Sequence, residues 1–381
     1  MNQTPYLFLK IALFGLFLNN TIVFPKTSSL GSLVTKVEQN YDFGKLKRSI
    51  DYYHSIFIEA LIRYYKFVND NEGLSRSIKY AELFEKKRIN LNLYPRRVFS
   101  YLPYWIYKAE PNLELKKKIL AENRSYQKKV RFSPEGAMIR NYQRNSKNAV
   151  LIDAFQNYSY RTAILGELSN DKKYFKKAVE QFEVHKKILA DSQTGLWHQG
   201  RGFLKDKSSL SPSNWSRGHG WAIRGIINVL QILPPESKDF HKLKNILEEL
   251  SQALINVQLS SGMWSCLLDR NPTESPVETS GTALIAGNMA IAISQGWLPE
   301  IPYTKAVRKA FAILPEFVKD DGTVLSVSPG PGPVWEVEPW LVDSFPPGDK
   351  HGPFAIIFAA LGECYLDQFQ KRKSLVETSV R

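Results

Sequence analysis

The sequence has few of the features on which several protein classes depend. Only two of its 381 residues are cysteines, Cys266 and Cys364, and no CxxC pair occurs. A scaffold held by several disulfides and a zinc site built from cysteines are therefore excluded. The sequence also lacks a GxSxG motif, a glycine-rich phosphate loop and a metal-spaced cluster of His, Asp and Glu. These absences speak against a serine hydrolase, a nucleotide-binding protein and a metalloenzyme.

Long apolar runs are missing as well. Residues 11–18 read IALFGLFL, which is too short to span a bilayer but suits the apolar core of an export signal. The signs around it are weak, because only the amino terminus and Lys10 precede it as positive charges and no small-residue cleavage site follows. We expect residues 1–25 to be a signal that exports the protein to the periplasm or beyond. Without a signal there, the protein would be cytoplasmic; with export, the two cysteines could pair.

The charge balance is strongly basic, with a formal net charge of +14. Such a charge suits nucleic acid, an anionic membrane or an acidic polymer as partner. The lysine-rich runs at 116–118 and 172–177 fall on the polar faces of amphipathic helices, and no arginine-rich arm or RNA-binding aromatic signature accompanies them. Nucleic acid is therefore not an expected partner. An aromatic content of 12% favours ring stacking or an aromatic-lined cavity.

Two kinds of helical stretch alternate along the chain. The apolar-rich kind is expected at residues 50–65, 96–107, 150–165, 221–233, 279–295 and 353–368, and the amphipathic kind at 73–85, 113–126, 172–189, 240–257 and 303–318. Convincing strand alternation is absent. A lone amphipathic hairpin cannot bury its apolar face, whereas a closed ring of hairpins can. We therefore predict an all-α fold, an (α/α)6 barrel over residues 46–372, with a linker at 26–45 and a polar tail at 373–381.

The segment 213–225, SNWSRGHGWAIRG, is the first candidate site in such a barrel. Trp215 and Trp221 flank Arg217 and His219 in what we expect to be a loop that leads into an inner helix. Aromatic faces stack on sugar rings, and a guanidinium can bind a carboxylate through two parallel hydrogen bonds. The segment predicts a wall for an acidic, ring-shaped ligand. A buried aromatic helix start, with its arginine paired to a structural acid, remains the alternative.

Three further candidates stand where inner helices are expected to begin. Asp153 lies among apolar residues, which favour the protonated form of a carboxylic acid and suggest a general acid, although a helix-dipole role is open. Glu278 begins ETSGT, where capping of the helix is at least as plausible as ligand contact. His351, in FPPGDKHG, could donate to a sugar hydroxyl or to a carboxylate.

Taken in order, five segments resemble the unsaturated glycuronyl hydrolases, specifically the unsaturated rhamnogalacturonyl hydrolases of glycoside hydrolase family 105, related to family 88. The segments are LIDAF (151–155), DSQTGLWHQG (191–200), NWSRGHGWA (214–222), GMWSCLLD with ETSGTA (262–283) and FPPGDKHG (345–352). The resemblance implies an (α/α)6 barrel. It also implies removal of a 4,5-unsaturated uronic acid from the non-reducing end of the acidic oligosaccharides that polysaccharide lyases leave.

The resemblance also implies a mechanism and a distribution of roles. In these hydrolases a carboxylic acid protonates C4 of the vinyl ether, and the resulting carboxylate activates the water that adds at C5. Asp153 matches that acid and base. Arg217 would then hold the uronate carboxylate, and Trp215 and Trp221 would stack on the sugar. No metal or organic cofactor is needed.

The chain departs from the pattern of these hydrolases at a few positions. Asn92 stands where they have a second aspartate, Gln199 where they have a pocket histidine with His198 one residue earlier, and His219 where they have an asparagine. We expect these four residues to contact the substrate.

The departures also leave other functions open. One alternative is a non-catalytic or weakly active relative that binds acidic glycans. Another is a different enzyme on the same fold, a sugar epimerase or an ordinary glycosidase; Asp153 and Glu278 facing one another would favour the glycosidase.

Overall fold

The computed structural model describes residues 29–41, 43, 51–90, 101–139, 149–270, 273–329, 342 and 344–379. Over these residues the chain forms twelve α-helices and one pair of short strands. The helices are α1 (Gly31–Asn40), α2 (Tyr52–Phe67), α3 (Asn71–Asn90), α4 (Leu102–Ala109), α5 (Leu113–Gln127), α6 (Phe155–Ser169), α7 (Lys173–Leu189), α8 (Ser216–Leu230), α9 (Lys238–Asn256), α10 (Thr279–Ser294), α11 (Glu300–Ile313) and α12 (His351–Ser379). The strands are β1 (Val150–Leu151) and β2 (Gly200–Arg201). Asn92 and the expected export signal lie outside the described residues.

The even-numbered helices form a closed inner ring. Helix α2 packs on α4, α6 on α8, α8 on α10, α10 on α12, and α12 returns to α2. Helices α4 and α6 meet through tyrosine rings, with centroids 4.7 Å apart between Tyr101 and Tyr160 and 5.9 Å apart between Tyr104 and Tyr160. The ring confirms the predicted (α/α)6 barrel.

The odd-numbered helices form the outer layer. The first of them, α1, lies where the sequence predicted a linker. Helices α3, α7, α9 and α11 each follow and pack on their inner neighbours, and α5 lies against α4 and α6. The sixth outer position, against α12, belongs to α1. A linker was expected at residues 26–45, but Leu33, Val34 and Val37 are buried in the main core. The carboxylate of Glu363 accepts hydrogen bonds from Ser29 Oγ at 2.9 Å and Leu30 N at 3.0 Å, which fastens the start of α1 to α12.

Inner and outer helices differ as their sequences predict. Helix α10, TSGTALIAGNMAIAIS, is buried on every side from Thr279 to Ile293. Its small residues allow a close approach to α12, since a Cβ at Gly287 would lie 2.6 Å from the carbonyl oxygen of Phe358. Helix α9 instead buries a single face, as an amphipathic outer helix should. Helix α12 runs through Ser379 and so includes most of the expected polar tail.

The first residues of the inner helices come together at one end of the barrel. Tyr52 at the start of α2 contacts His351 at the start of α12, and Arg217 in α8 contacts Ser280 in α10. Because each outer helix returns the chain to the same end, the loops that precede these residues share one mouth. Among the twelve helices described above, none combines the length and the apolar character that a membrane span requires.

Candidate active site

Asp153 is held at this mouth by a short antiparallel ladder that the sequence analysis did not predict. In place of a helix from residue 150, β1 pairs with β2, with Leu151 opposite Gly200. The ladder continues as Ile152 N donates to Gln199 O at 3.0 Å. Asp153 follows in a turn, partly exposed, just before α6 begins at Phe155. The ladder therefore brings together two segments that the sequence analysis singled out separately.

His198 and Gln199 lie on the same ladder and link it to the third candidate segment. His198 is partly exposed, and its Nδ1 donates to Ser211 O at 2.7 Å. Gln199 is buried, and its backbone N–H donates to Ser213 O at 3.3 Å. Backbone hydrogen bonds thus join the segments of Asp153, Gln199 and Trp215 at one end of the barrel.

His219 is a structural residue. Helix α8 already begins at Ser216, so His219 lies inside the helix rather than in a loop. The ring is fully buried; Nδ1 donates to Trp215 O at 2.8 Å, and Nε2 accepts from Trp197 N at 2.9 Å. Burial lowers the pKa of His219 to about 4, which keeps the imidazole neutral. Both nitrogens are used inside the protein, which contradicts the expectation that His219 contacts substrate.

Arg217 is also directed into the protein. Its side chain is fully buried, and Nη1 donates to Ser328 O at 2.7 Å, Ser328 Oγ at 2.8 Å and Ser280 Oγ at 3.0 Å. Nη2 donates to Pro329 O at 3.0 Å, and the guanidinium lies 4.5 Å from the centre of the Trp215 ring. The expectation that Arg217 binds a ligand carboxylate is therefore wrong. Arg217 joins the loop at 328–329 to α8 and α10 and supports Trp215.

Glu278 completes this buried network as the N-cap of α10. Its carboxylate accepts hydrogen bonds from the backbone N–H groups of Ser280, at 3.2 Å, and of Gly281, and from Ser328 N at 3.1 Å. Arg217 Nη1 lies 3.4 Å away. The capping interpretation of Glu278 is confirmed, and so is the alternative in which the arginine pairs with a structural acid. The Glu278 carboxylate is fully buried and already accepts several hydrogen bonds from the protein, so it is not a second catalytic acid. The pair of catalytic carboxylates, Asp153 and Glu278, that would favour an ordinary glycosidase is therefore absent.

His351 belongs to a second network, on α2 and α12. Its Nδ1 lies 2.5 Å from Asp349 Oδ1, and its Nε2 lies 2.6 Å from the hydroxyl of Tyr52. Burial, together with the nearby charge of Arg217, lowers the pKa of His351 to about 4. Since both nitrogens are engaged, the expectation that His351 itself donates to a ligand is wrong. Asp349 stands two residues before His351 in the sequence, whereas no motif marked Tyr52.

Trp215 and Trp221 lie between these networks, and each is only 4% exposed, so neither ring offers an open face for the sugar stacking that was predicted. Trp221 contacts Phe354, at 5.4 Å between ring centres, and Phe354 contacts His351 at 5.9 Å. This row of rings connects α8 to the polar network on α12 and α2.

Both cysteines are thiols. Cys266 is buried beside Trp215, and Cys364 lies on α12, with no disulfide between them. Burial raises the pKa of the Cys266 thiol. Within the described ranges, no group of three or more His, Cys, Asp or Glu side chains is arranged to hold a metal ion.

The fold is that of helical-barrel glycoside hydrolases. The structure superposes with a TM-score of 0.76 on a possible member of the GH105 family from Klebsiella pneumoniae, over 92% of this chain and 96% of that one, at 20% identity. A possible GH105 member from Salmonella enterica gives a TM-score of 0.75, with 93% and 97% covered, also at 20% identity. Similarities at this level of identity establish the fold alone.

The sequence profile of Glycosyl Hydrolase Family 88 matches residues 30–333, so the chain belongs to this family. Among curated relatives, the unsaturated rhamnogalacturonyl hydrolase YesR of Bacillus subtilis is 31% identical over 166 residues, 44% of this chain and 45% of the relative. An unsaturated 3S-rhamnoglycuronyl hydrolase of Alteromonas sp. is 25% identical over 203 residues, 52% and 47%. The chain thus matches about half the length of these relatives.

Proposed function

We propose that this protein is a glycosidase that removes a 4,5-unsaturated uronic acid from the non-reducing end of acidic oligosaccharides produced by polysaccharide lyases. Membership of family 88 and the hydrolase relatives support the reaction class. The observation that carries the proposal is the position of Asp153, a partly exposed carboxylic acid fixed by the β1–β2 ladder at the mouth where the inner helices begin.

Asp153 would serve as acid and then as base. Its proton goes to C4, and the positive charge that develops at C5 is shared with the ring oxygen. The Asp153 carboxylate then takes a proton from water as the water oxygen bonds to C5. The hemiketal opens between C5 and the ring oxygen, and the hemiacetal formed at C1 collapses to release the rest of the oligosaccharide. Asp153 ends protonated, and one water has been consumed.

The test is the loss of the ultraviolet absorbance of the conjugated alkene from lyase-generated oligouronides. Wild type should remove this absorbance and Asp153→Asn should not, while both should bind the oligosaccharide. Asp206→Asn is the matched control, since Asp206 is an exposed loop carboxylate that accepts hydrogen bonds from Ser208 and Ser209. Full activity of Asp153→Asn would overturn the proposal.

A second candidate function is the binding of acidic glycans without turnover. The observation in its favour is Asn92, which the resemblance described above places at the position of these hydrolases' second aspartate. Binding of the oligosaccharide by wild type with no loss of alkene absorbance would support this candidate. Appearance of activity in Asn92→Asp would then show that replacement of this single carboxyl group had silenced the site.

A further inference from the structure

A chain of three polar groups crosses the seam between α12 and α2 at the mouth of the barrel. Asp349 Oδ1 lies 2.5 Å from His351 Nδ1, and His351 Nε2 lies 2.6 Å from the hydroxyl oxygen of Tyr52. The backbone N–H of His351 also donates to Asp349 Oδ1, at 3.0 Å. The backbone N–H of His351 thus holds the carboxylate of Asp349 in place, and that carboxylate in turn orients the His351 ring.

The partners determine where the protons lie. Asp349 is ionised, because His351 and the charge of Arg217 lower the pKa of its carboxyl group against the effect of burial. A carboxylate can only accept, so Nδ1 of His351 carries the hydrogen. With its pKa lowered to about 4 by burial, His351 has no second ring hydrogen at neutral pH, and its Nε2 is an acceptor. The hydroxyl hydrogen of Tyr52 therefore points to Nε2, and the phenol oxygen presents lone pairs to its other neighbours.

Tyr52 occupies a position where a ligand of this barrel can reach it. It is the first residue of α2 and is partly exposed, while His351 is 6% exposed. Behind His351, Phe354 and Trp221 continue as a row of rings that reaches α8.

Building on the proposed function, we propose that Tyr52 contacts the substrate and accepts a hydrogen bond from a sugar hydroxyl. His351 and Asp349 are positioning residues that fix the phenol as an acceptor. The site thereby selects an oligosaccharide with a free hydroxyl at this position. A sulfate, carboxylate or O-methyl group there would bring acceptor against acceptor and be rejected.

The adjacent tyrosine provides a matched control. Tyr53 accepts a hydrogen bond from Lys350 Nζ at 3.0 Å and takes no part in the three-group chain. We expect Tyr52→Phe to lower kcat/KM about tenfold, mainly through KM, and Tyr53→Phe to change it less than about twofold. Equal losses in the two variants, or no loss in either, would overturn the inference.

Substrates that each lack one hydroxyl group test the contact directly, because a purely structural role of Tyr52 would not affect how the protein discriminates between them. For wild type, one deoxy analogue should be about tenfold poorer than its parent, and Tyr52→Phe should not distinguish the two. His351→Gln, which keeps an oxygen acceptor for Tyr52, should retain this discrimination better than His351→Leu. Unchanged discrimination in Tyr52→Phe for every deoxy analogue would contradict the proposal.

Failure of this inference can be separated from failure of the proposed function. If wild type consumes no lyase product, the proposed function fails, and the Tyr52 inference is then judged by calorimetric affinity for the same oligosaccharides. Weaker binding by Tyr52→Phe than by Tyr53→Phe supports the contact, and equal affinities refute it.

Discussion

The two polar networks at the mouth of the barrel each join a carboxylate to a nitrogen-containing side chain, and they differ in their access to solvent. On α8 and α10, Arg217 and Glu278 are fully buried, and their hydrogen bonds end on Ser280, Ser328 and other protein groups. On α2 and α12, the network of Asp349 and His351 includes the partly exposed Tyr52. One network thus supports one side of the mouth, and the other holds in place the residue that we propose as a ligand contact.

The largest expected effect is the loss of stability when one partner of the buried Arg217–Glu278 ion pair is removed. Glu278→Gln would leave the Arg217 charge uncompensated in the interior, and we expect the free energy of unfolding to fall by about 3 kcal/mol. Urea denaturation measures this loss. Glu274→Gln, at an exposed position nearby, should stay within about 0.5 kcal/mol of wild type. A similarly small change in Glu278→Gln would mean that the buried network does not support the mouth.

Acid should destabilise the fold through its buried histidines. Burial lowers the pKa of His185 to about 3 and of His219 to about 4. As the pH falls below the ordinary histidine pKa of about 6.5, the unfolded chain takes up protons that the folded chain does not. Stability is therefore fully present above that pKa and is lost progressively as the pH falls towards 4. Urea midpoints across this window measure the slope, which His219→Gln should flatten and exposed His241→Gln should not. A flat profile in wild type would contradict the neutral, buried state of these rings.

The network that ends on Tyr52 should affect activity more than stability. Asp349→Asn keeps an oxygen that can accept from His351 but removes the charge that fixes the ring hydrogen on Nδ1. We expect kcat/KM to fall severalfold while the free energy of unfolding changes by less than about 1 kcal/mol. A stability loss as large as that of Glu278→Gln would show that the two networks do not differ in kind.

The smallest expected effect concerns the overall charge. With a net charge of +14, the protein should attract anionic oligosaccharides over a distance that salt shortens. Raising the ionic strength should lower kcat/KM by a few fold for uronate substrates. Binding of a neutral oligosaccharide of the same length is the control, and equal salt sensitivity of the two would rule out long-range attraction.

Much of the fold could be predicted because inner and outer helices differ in periodicity. The continuous apolar sequence of α10 and the one-sided pattern of α9 each indicate the layer to which the helix belongs. Helix α1 could not be assigned in the same way. Its partner, α12, is more than 300 residues away in the sequence (Leu30 N bonds to Glu363, 333 positions on), and no local pattern records such a contact.

The site was only partly predictable for a related reason. The sequence motifs located the right end of the barrel, where the backbone joins the segments of Asp153, Gln199 and Trp215. They could not show that Arg217 and His219 are turned inward, because burial depends on how α8 meets α10 and the loop at residue 328. Tyr52 begins an ordinary apolar helix, and only the closure of the ring places His351 against it.

That closure also bears on how the chain reaches its native state during synthesis. Among the described helices, α1 is synthesised before the others and α12 after them, so the apolar face of α1 has no partner until α12 has been made. Until then, a nascent barrel has an open seam between α12 and α2, with Tyr52 and His351 still apart. The contact that we assign to substrate selection therefore cannot form before α12 is made, and a chain that stalls before α12 has neither a closed ring nor a complete mouth.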